Sequence, residues 1–254
     1  MEMSGNMPYN IVVLVKQIPD IDQMKTDPAT GEPILQNLPM RVENLSKNAI
    51  EAGVKIKEKH GGRVSVVIFG TEKSSAAMKE AYAMGADEGF LITGYEGNHP
   101  EVTAKVIAEK LKSIPHDLVI LGNQSADSYT GLLPGKLSSL TGEPLLGNAV
   151  KIDLEGRDVV VTSALEEYNL ELKAQMPAIV SVAQEINEPR LPPVLQIMAA
   201  GRKPINTVAA QKPQAFTTKV ISNRAPKSDR KRIIYEDVDK GVAEVAKAIK
   251  EAIR

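Results

Sequence analysis

Through its first half the chain switches repeatedly between two hydrophobic periods, and few folds accommodate that alternation. Residues 10–15 form a β-branched apolar run that reads as a buried strand. Residues 46–60 then place Ala49, Ile50, Ala52, Val54 and Ile56 at helical spacing and stop at Gly61-Gly62. A strand over 63–69 ends at Gly70, and a helix over 74–84 closes on Gly85. The series continues with a strand over 89–93, a helix over 101–111, a strand over 117–121 ending at Gly122, and a helix over 132–140. Strands separated by helices of about 10 to 15 residues predict a parallel sheet with right-handed crossovers. The strands are continuous apolar runs, as expected when helices cover both faces. The fold class is therefore α/β, with a three-layer core.

The second half reads differently. After Gly147, residues 149–154, 159–164, 170–174 and 179–183 read as strands, the first two joined by the turn Glu155-Gly156. They extend the sheet or add an antiparallel edge. The polar stretch 20–41 is long for a connection, and its turn signal Asp27-Pro28-Ala29-Thr30-Gly31 predicts a small hairpin. From Asn187 onward the chain is rich in proline and charge, and no further core is expected. Residues 238–253 carry Val242, Val245, Ala246, Ile249 and Ile253 on one helical face, which must dock on its own domain or on a partner. The organisation read from these patterns is an α/β domain over 1–190 and an extension over 191–254 that ends in a C-terminal arm, partner-binding if its stripe does not dock on its own domain.

Composition excludes much chemistry. The 254 residues include no cysteine, which removes disulfides, thiolate nucleophiles, zinc–thiolate sites and iron–sulfur clusters. His60, His99 and His116 are scattered without metal-ligand spacing and are expected at the surface. A net charge of -1 gives no global attraction for nucleic acid. The basic cluster Lys227, Arg230, Lys231 and Arg232 is short, interrupted by Asp229 and without interleaved aromatics, so a solvated tail is expected there. No apolar run approaches bilayer length and residues 1–10 lack a signal pattern, so a cytoplasmic protein without membrane insertion is expected. Dinucleotide fingerprint, Walker loop, nucleophile elbow and H-E-x-x-H are all missing. Redox chemistry, if present, would use a borrowed organic cofactor.

Ligands on open parallel sheets lie beyond the carboxyl ends of the strands. Here those ends are residues 16–20, 69–71, 93–97 and 122–131. Residues 122–135 are the most informative: they follow a strand, begin at glycine and lead into a helix whose free N–H groups suit a phosphate. Gln124 and Asp127 can bond adenine or ribose edges, while Ser128 and Thr130 offer hydroxyls. From the residues alone, a polar surface loop is an equally good reading.

Four segments in register resemble the electron-transfer flavoprotein β-subunit family, across nearly the whole chain. Val15-Lys16-Gln17-Ile18-Pro19-Asp20 resembles its first strand exit, and Ala83-Met84-Gly85-Ala86-Asp87-Glu88 its second helix end. Gly122-x-Gln124 through Asp127 is similar to its nucleotide loop. Pro177-Ala178-Ile179-Val180, followed by Asn187-Glu188-Pro189-Arg190 and Ile197-Met198, resembles its signature and docking region.

The resemblance implies an adenine nucleotide hydrolase-like, Rossmann-like domain. It also implies a heterodimer with an α subunit that holds most of a shared FAD. It places nucleotide contacts on Leu14, on Glu43, Asn44, Leu45 and Ser46, and on Phe69 and Gly70. In the loop it places them on Gly122, Asn123, Gln124, Ser125, Ala126, Asp127, Ser128, Tyr129, Thr130, Gly131, Leu132 and Leu133. It implies docking to flavin dehydrogenases or a quinone oxidoreductase through Val194, Leu195, Ile197 and Met198. The expected nucleotide is AMP, with FAD that oxidises NADH as the alternative. Tyr129 stands where FAD-binding members carry a small acid, and its bulk favours AMP. A universal-stress-like regulator would lack the strands over 149–183 and the arm. A stand-alone dehydrogenase would need a dinucleotide fingerprint.

Overall fold

The computed structural model describes residues 8–96, 99–211, 221–226 and 233–253. Its contacts divide the chain into one unit of Met1–Met24 with Leu35–Lys219, and a second of Lys25–Ile34 with Val220–Arg254. Within the first unit the order is β1 (Tyr9–Leu14), β2 (Gln17–Pro19), β5 (Met40–Val42), α1 (Asn44–His60), β6 (Gly62–Phe69), α2 (Ser75–Ala83), β7 (Glu88–Thr93) and α3 (Pro100–Leu111). There follow β8 (Leu118–Gly122), α4 (Leu132–Thr141), β9 (Leu145–Glu155), β10 (Asp158–Ala164), β11 (Asn169–Gln175), β12 (Ala178–Val182), α5 (Val194–Ala200) and β13 (Asn206–Ala209). The second unit holds β3 (Lys25–Thr26), β4 (Pro33–Ile34) and α6 (Val238–Ala252).

The nine-stranded sheet runs β11-β10-β9-β12-β8-β1-β6-β7-β13. From β9 to β13 neighbours are parallel, and β9, β10 and β11 form an antiparallel meander at one edge. The alternation within β1 sorts its side chains to two faces. Ile11, Val13 and Val15 join the cluster that holds Ala49, Ile50, Ala77 and Met78 of α1 and α2. Val12 and Leu14 join Ala104, Ile107 and Leu137 of α3 and α4. These are the three layers the sequence predicts.

α1 starts where Glu43, itself buried, caps it by accepting from Ser46 N at 2.9 Å. Lys57, Lys59 and His60 fill its last turn, where the helix dipole favours cations. Its axis lies close to β1, since a Cβ on Gly53 would come within 3.0 Å of Val13. The turn at residues 27–31 folds as the hairpin β3–β4, with the Asp27 carboxylate accepting from Ala29 N and Thr30 N at 2.8 Å each.

One strand has no counterpart in the sequence patterns: after Asn187, where no further core is expected, β13 pairs in parallel with β7 from Asn206–Phe90 to Ala209–Thr93. All four of its residues are exposed, so no apolar pattern announces the strand. His116 is not at the surface: its side chain is 9% exposed, with Nε2 at 3.0 Å from Glu143 and Nδ1 at 2.7 Å from the Ile114 carbonyl. Burial pulls its pKa down, but the bonds to Glu143 and Ile114 outweigh that, and the net shift is upward. The basic cluster Lys227, Arg230, Lys231 and Arg232 lies outside the described residues.

Candidate functional site

Strand order reverses at β1: the chain leaves it for β6 and β7 on one side, then returns to β8 and β12 on the other. The diverging connections after β1 and β8 open a crevice of the kind where ligands bind on such sheets. Its walls are Val15-Lys16 after β1, the first turn of α1, Phe69-Gly70 after β6, residues 93–95 after β7, and the loop from Gly122 to Gly131. The close approach of β8 to α1 needs Gly122, because a Cβ there would lie 2.7 Å from the Leu45 Cβ.

The loop is a built structure. Tyr129 N donates to Ser125 O at 2.9 Å, and the Ser125 and Ser128 hydroxyls lie 3.0 Å apart. Lys16 crosses from the β1 exit to hold it, with Nζ donating to Asp127 Oδ1 at 2.7 Å and to Ser125 Oγ at 3.1 Å. Asn123 anchors the base: its N–H bonds Val182 O at 3.0 Å and its Nδ2 bonds Asn148 Oδ1 at 2.8 Å. The Asn123 Oδ1, by contrast, is buried with no protein donor. Gly131, at φ 59, caps α4 without a side-chain acceptor, so the amides of Leu132 and Leu133 face no competing side chain. Pro134 has no N–H to offer.

The other predicted residues fall around this core. Leu14 is buried beneath the crevice, while Glu43 and Ser46 are buried at the start of α1. Ser46 Oγ accepts from Lys16 N at 3.1 Å, and Lys16 O accepts from Glu43 N at 3.0 Å, which ties the β1 exit to α1. Asn44 is exposed and Leu45 half-buried. Phe69 meets Tyr95 edge-on at 5.3 Å, and Gly70 is buried with its O accepting from Tyr95 N. Gln124, Thr130 and Leu132 are exposed on the rim, Ala126 is half-buried, and Leu133 packs on the α3–α4 side of the core. Tyr129 is 68% exposed at φ 50, so its ring stands in solvent instead of filling the crevice, and its bulk does not separate AMP from FAD.

Three residues join the site that the loop motif alone does not indicate: Lys16, Tyr95 and Asn148. Lys16 had a sequence signal, being the first polar residue after a buried strand. Tyr95 falls in the strand end at residues 93–97 that the sequence already marks, whereas Asn148 had no signal, since it arrives from β9 through the sheet order. Burial, and secondarily the Asp127 charge, push the Tyr95 hydroxyl up to about 12. The predicted docking residues lie elsewhere, on α5, where Val194, Leu195, Ile197 and Met198 are all more than half exposed.

A cavity of about 280 Å³ lies apart from this crevice, under α5, and is lined by Val54, Tyr82, Lys57, Arg190 and Lys203 among others. Its cations already have acceptors in Asp87, Glu51, Glu58 and the Ala86 carbonyl. The switch-point crevice, with an unpartnered acceptor and uncapped amides, is the better candidate. Among the described residues no group of acids and histidines could hold a metal ion, and no helix is long and apolar enough to cross a membrane.

Fold and crevice together define an open α/β protein with a candidate ligand crevice at the reversal of its strand order. The electron transfer flavoprotein domain model matches residues 34–213. The electron transfer flavoprotein subunit beta of Thermoanaerobacterium thermosaccharolyticum is 29% identical over 89% of this chain and 92% of its own length. That of Mycobacterium tuberculosis is 32% identical over 78% of each chain. The caffeyl-CoA reductase-Etf complex subunit CarD of Acetobacterium woodii is 30% identical over 77% of this chain and 76% of its own. The chain belongs to the electron transfer flavoprotein family, among its beta subunits.

Proposed function

We propose that the protein is the beta half of a heterodimeric electron carrier and that it holds AMP at the switch-point crevice. The single observation that carries the nucleotide reading is the pairing of a buried, unpartnered acceptor on Asn123 with uncapped amides at the start of α4. An adenine nucleotide offers the matching set: an amino group and ribose hydroxyls as donors, and a phosphate as acceptor. The residues present therefore fit the group. Leu132 and Leu133 would receive the phosphate, and Asn123 a donor from base or sugar. Phe69 and Tyr95 would close one wall. The flavin shared with an alpha subunit supplies the redox chemistry when bound; this chain's residues position, cover and exclude water.

The exposed Tyr129 supports a second reading, in which FAD occupies the same crevice and accepts hydride from NADH. The two separate cleanly in the complex purified with its alpha partner. AMP in the crevice gives one flavin per heterodimer, counted by absorbance, and AMP in the supernatant after denaturation. Two flavins per heterodimer, with NADH bleaching at least one, would replace AMP by FAD. Neither nucleotide in the crevice would sink the binding role.

A further inference from the structure

The crevice carries an electrostatic problem that its loop motif does not reveal. Two carboxylates line it: Glu43, 2% exposed at the start of α1, and Asp127, whose side chain is 17% exposed in the loop. Glu43 already occupies the α1 N-terminus, so the positive end of that dipole is not available to a phosphate. Of the two lysines on its described walls, Lys47 is taken by Glu80 of α2 at 2.7 Å, which leaves Lys16. It reaches Asp127 at 2.7 Å and, with a second donor, Ser125 at 3.1 Å.

We propose that Lys16 is a nucleotide-site residue whose task is to cancel Asp127, making the loop accept an anion that two carboxylates would repel. The proposal rests on the crevice binding an adenine nucleotide. Like charges within a few ångströms in a partly buried site repel strongly, and an opposite charge at hydrogen-bond distance removes that repulsion. The Lys16–Asp127 pair also ties the β1 exit to the β8 exit, which are the two lips of the switch point. Binding a nucleotide phosphate at α4 then brings its charge, about −1.5 to −2 at neutral pH, beside a neutral pair instead of beside a bare acid.

The test is a double-mutant cycle in the full heterodimer, with the AMP dissociation constant read by equilibrium dialysis of labelled AMP. Lys16→Met should weaken AMP at least tenfold in the native background. In an Asp127→Asn background, where there is no charge to cancel, the same change should weaken it less than threefold. Lys16→Arg should keep most of the affinity, and melting curves of each variant check folding. Equal affinity for wild type and Lys16→Met overturns the assignment, as does an equal loss in both backgrounds. A wild-type heterodimer that takes up neither AMP nor a second flavin fails earlier, at the nucleotide reading itself. If FAD is the occupant, the same cycle is read as flavin retained per heterodimer.

Discussion

Arg190 lies in no helix or strand, yet it ties the segment after β12 to α1. Its guanidinium donates to both oxygens of Glu51 at 2.8 and 3.1 Å and to both oxygens of Glu58 at 2.6 and 2.9 Å. Three residues earlier, Asn187 and Asn48 exchange amide-to-carbonyl bonds at 2.7 and 3.0 Å. The Asn-Glu-Pro-Arg motif thus bolts this segment to α1. Removing Arg190 strands Glu51, 3% exposed, without its guanidinium. Breaking a fully buried pair costs about 3–5 kcal/mol; with Arg190 itself 31% exposed, screening lowers the expectation for Arg190→Ala to about 2–3 kcal/mol. Urea unfolding of the variant checks this, and an unchanged midpoint would refute it. Acid sensitivity follows from Glu58, whose carboxyl the bond from Arg190 holds below its ordinary value. A depressed folded pKa contributes stability above the unfolded value, about 4.3, and loses it as pH falls through the folded one. Arg190→Ala should therefore show less stability loss below about pH 4.3 than the native chain.

At the scale of elements, two helices present apolar faces to solvent. α5 is held by Ala200, 2% exposed, and by its packing on α2, while Leu195 is 79% exposed and Val194 72%. A face so exposed is not filling its own core, and it suits a redox partner. Leu195→Ala, at a position with so little burial, should change stability by no more than about 0.5 kcal/mol. We expect flavin content to stay constant while electron transfer to a partner dehydrogenase slows severalfold; unchanged transfer rates would remove α5 from the docking surface.

α6 is the second such helix. Asp237 caps it by accepting from Lys240 N at 2.8 Å, and Tyr235 lies against Gly241. Its stripe of Val242, Val245, Ile249 and Ile253 is at least half exposed throughout. Covering such a face is favourable by roughly 25 cal/mol per Å² of apolar area, and an alpha subunit is the partner we propose for it. Deleting Tyr235–Arg254 should lower copurification with that subunit; a truncated chain that copurifies as well as the full one would end the clasp idea.

For the whole molecule, the sequence by itself determined the layers. Continuous β-branched runs and helical stripes are local patterns, and α1 to α4, α6 and most strands lie within a few residues of where periodicity puts them. Motifs were legible too, but their meaning was not. Ala83-Met84-Gly85-Ala86-Asp87-Glu88 carries part of the family resemblance in the sequence. In the fold the Asp87 carboxylate accepts from Val64 N at 2.8 Å and from Lys57 Nζ at 3.0 Å, closing the turn between α2 and β7. Only the tertiary structure decided that β13 completes the sheet, because a strand held by backbone pairing with four exposed side chains has no hydrophobic period to read. The same holds for the site: Lys16 meets Asp127 across 111 residues, and Asn123 at the end of β8 meets Asn148 of β9, two places along the sheet. Such pairings follow from the order in which strands lie side by side, and periodicity encodes which segments are strands, not which are neighbours.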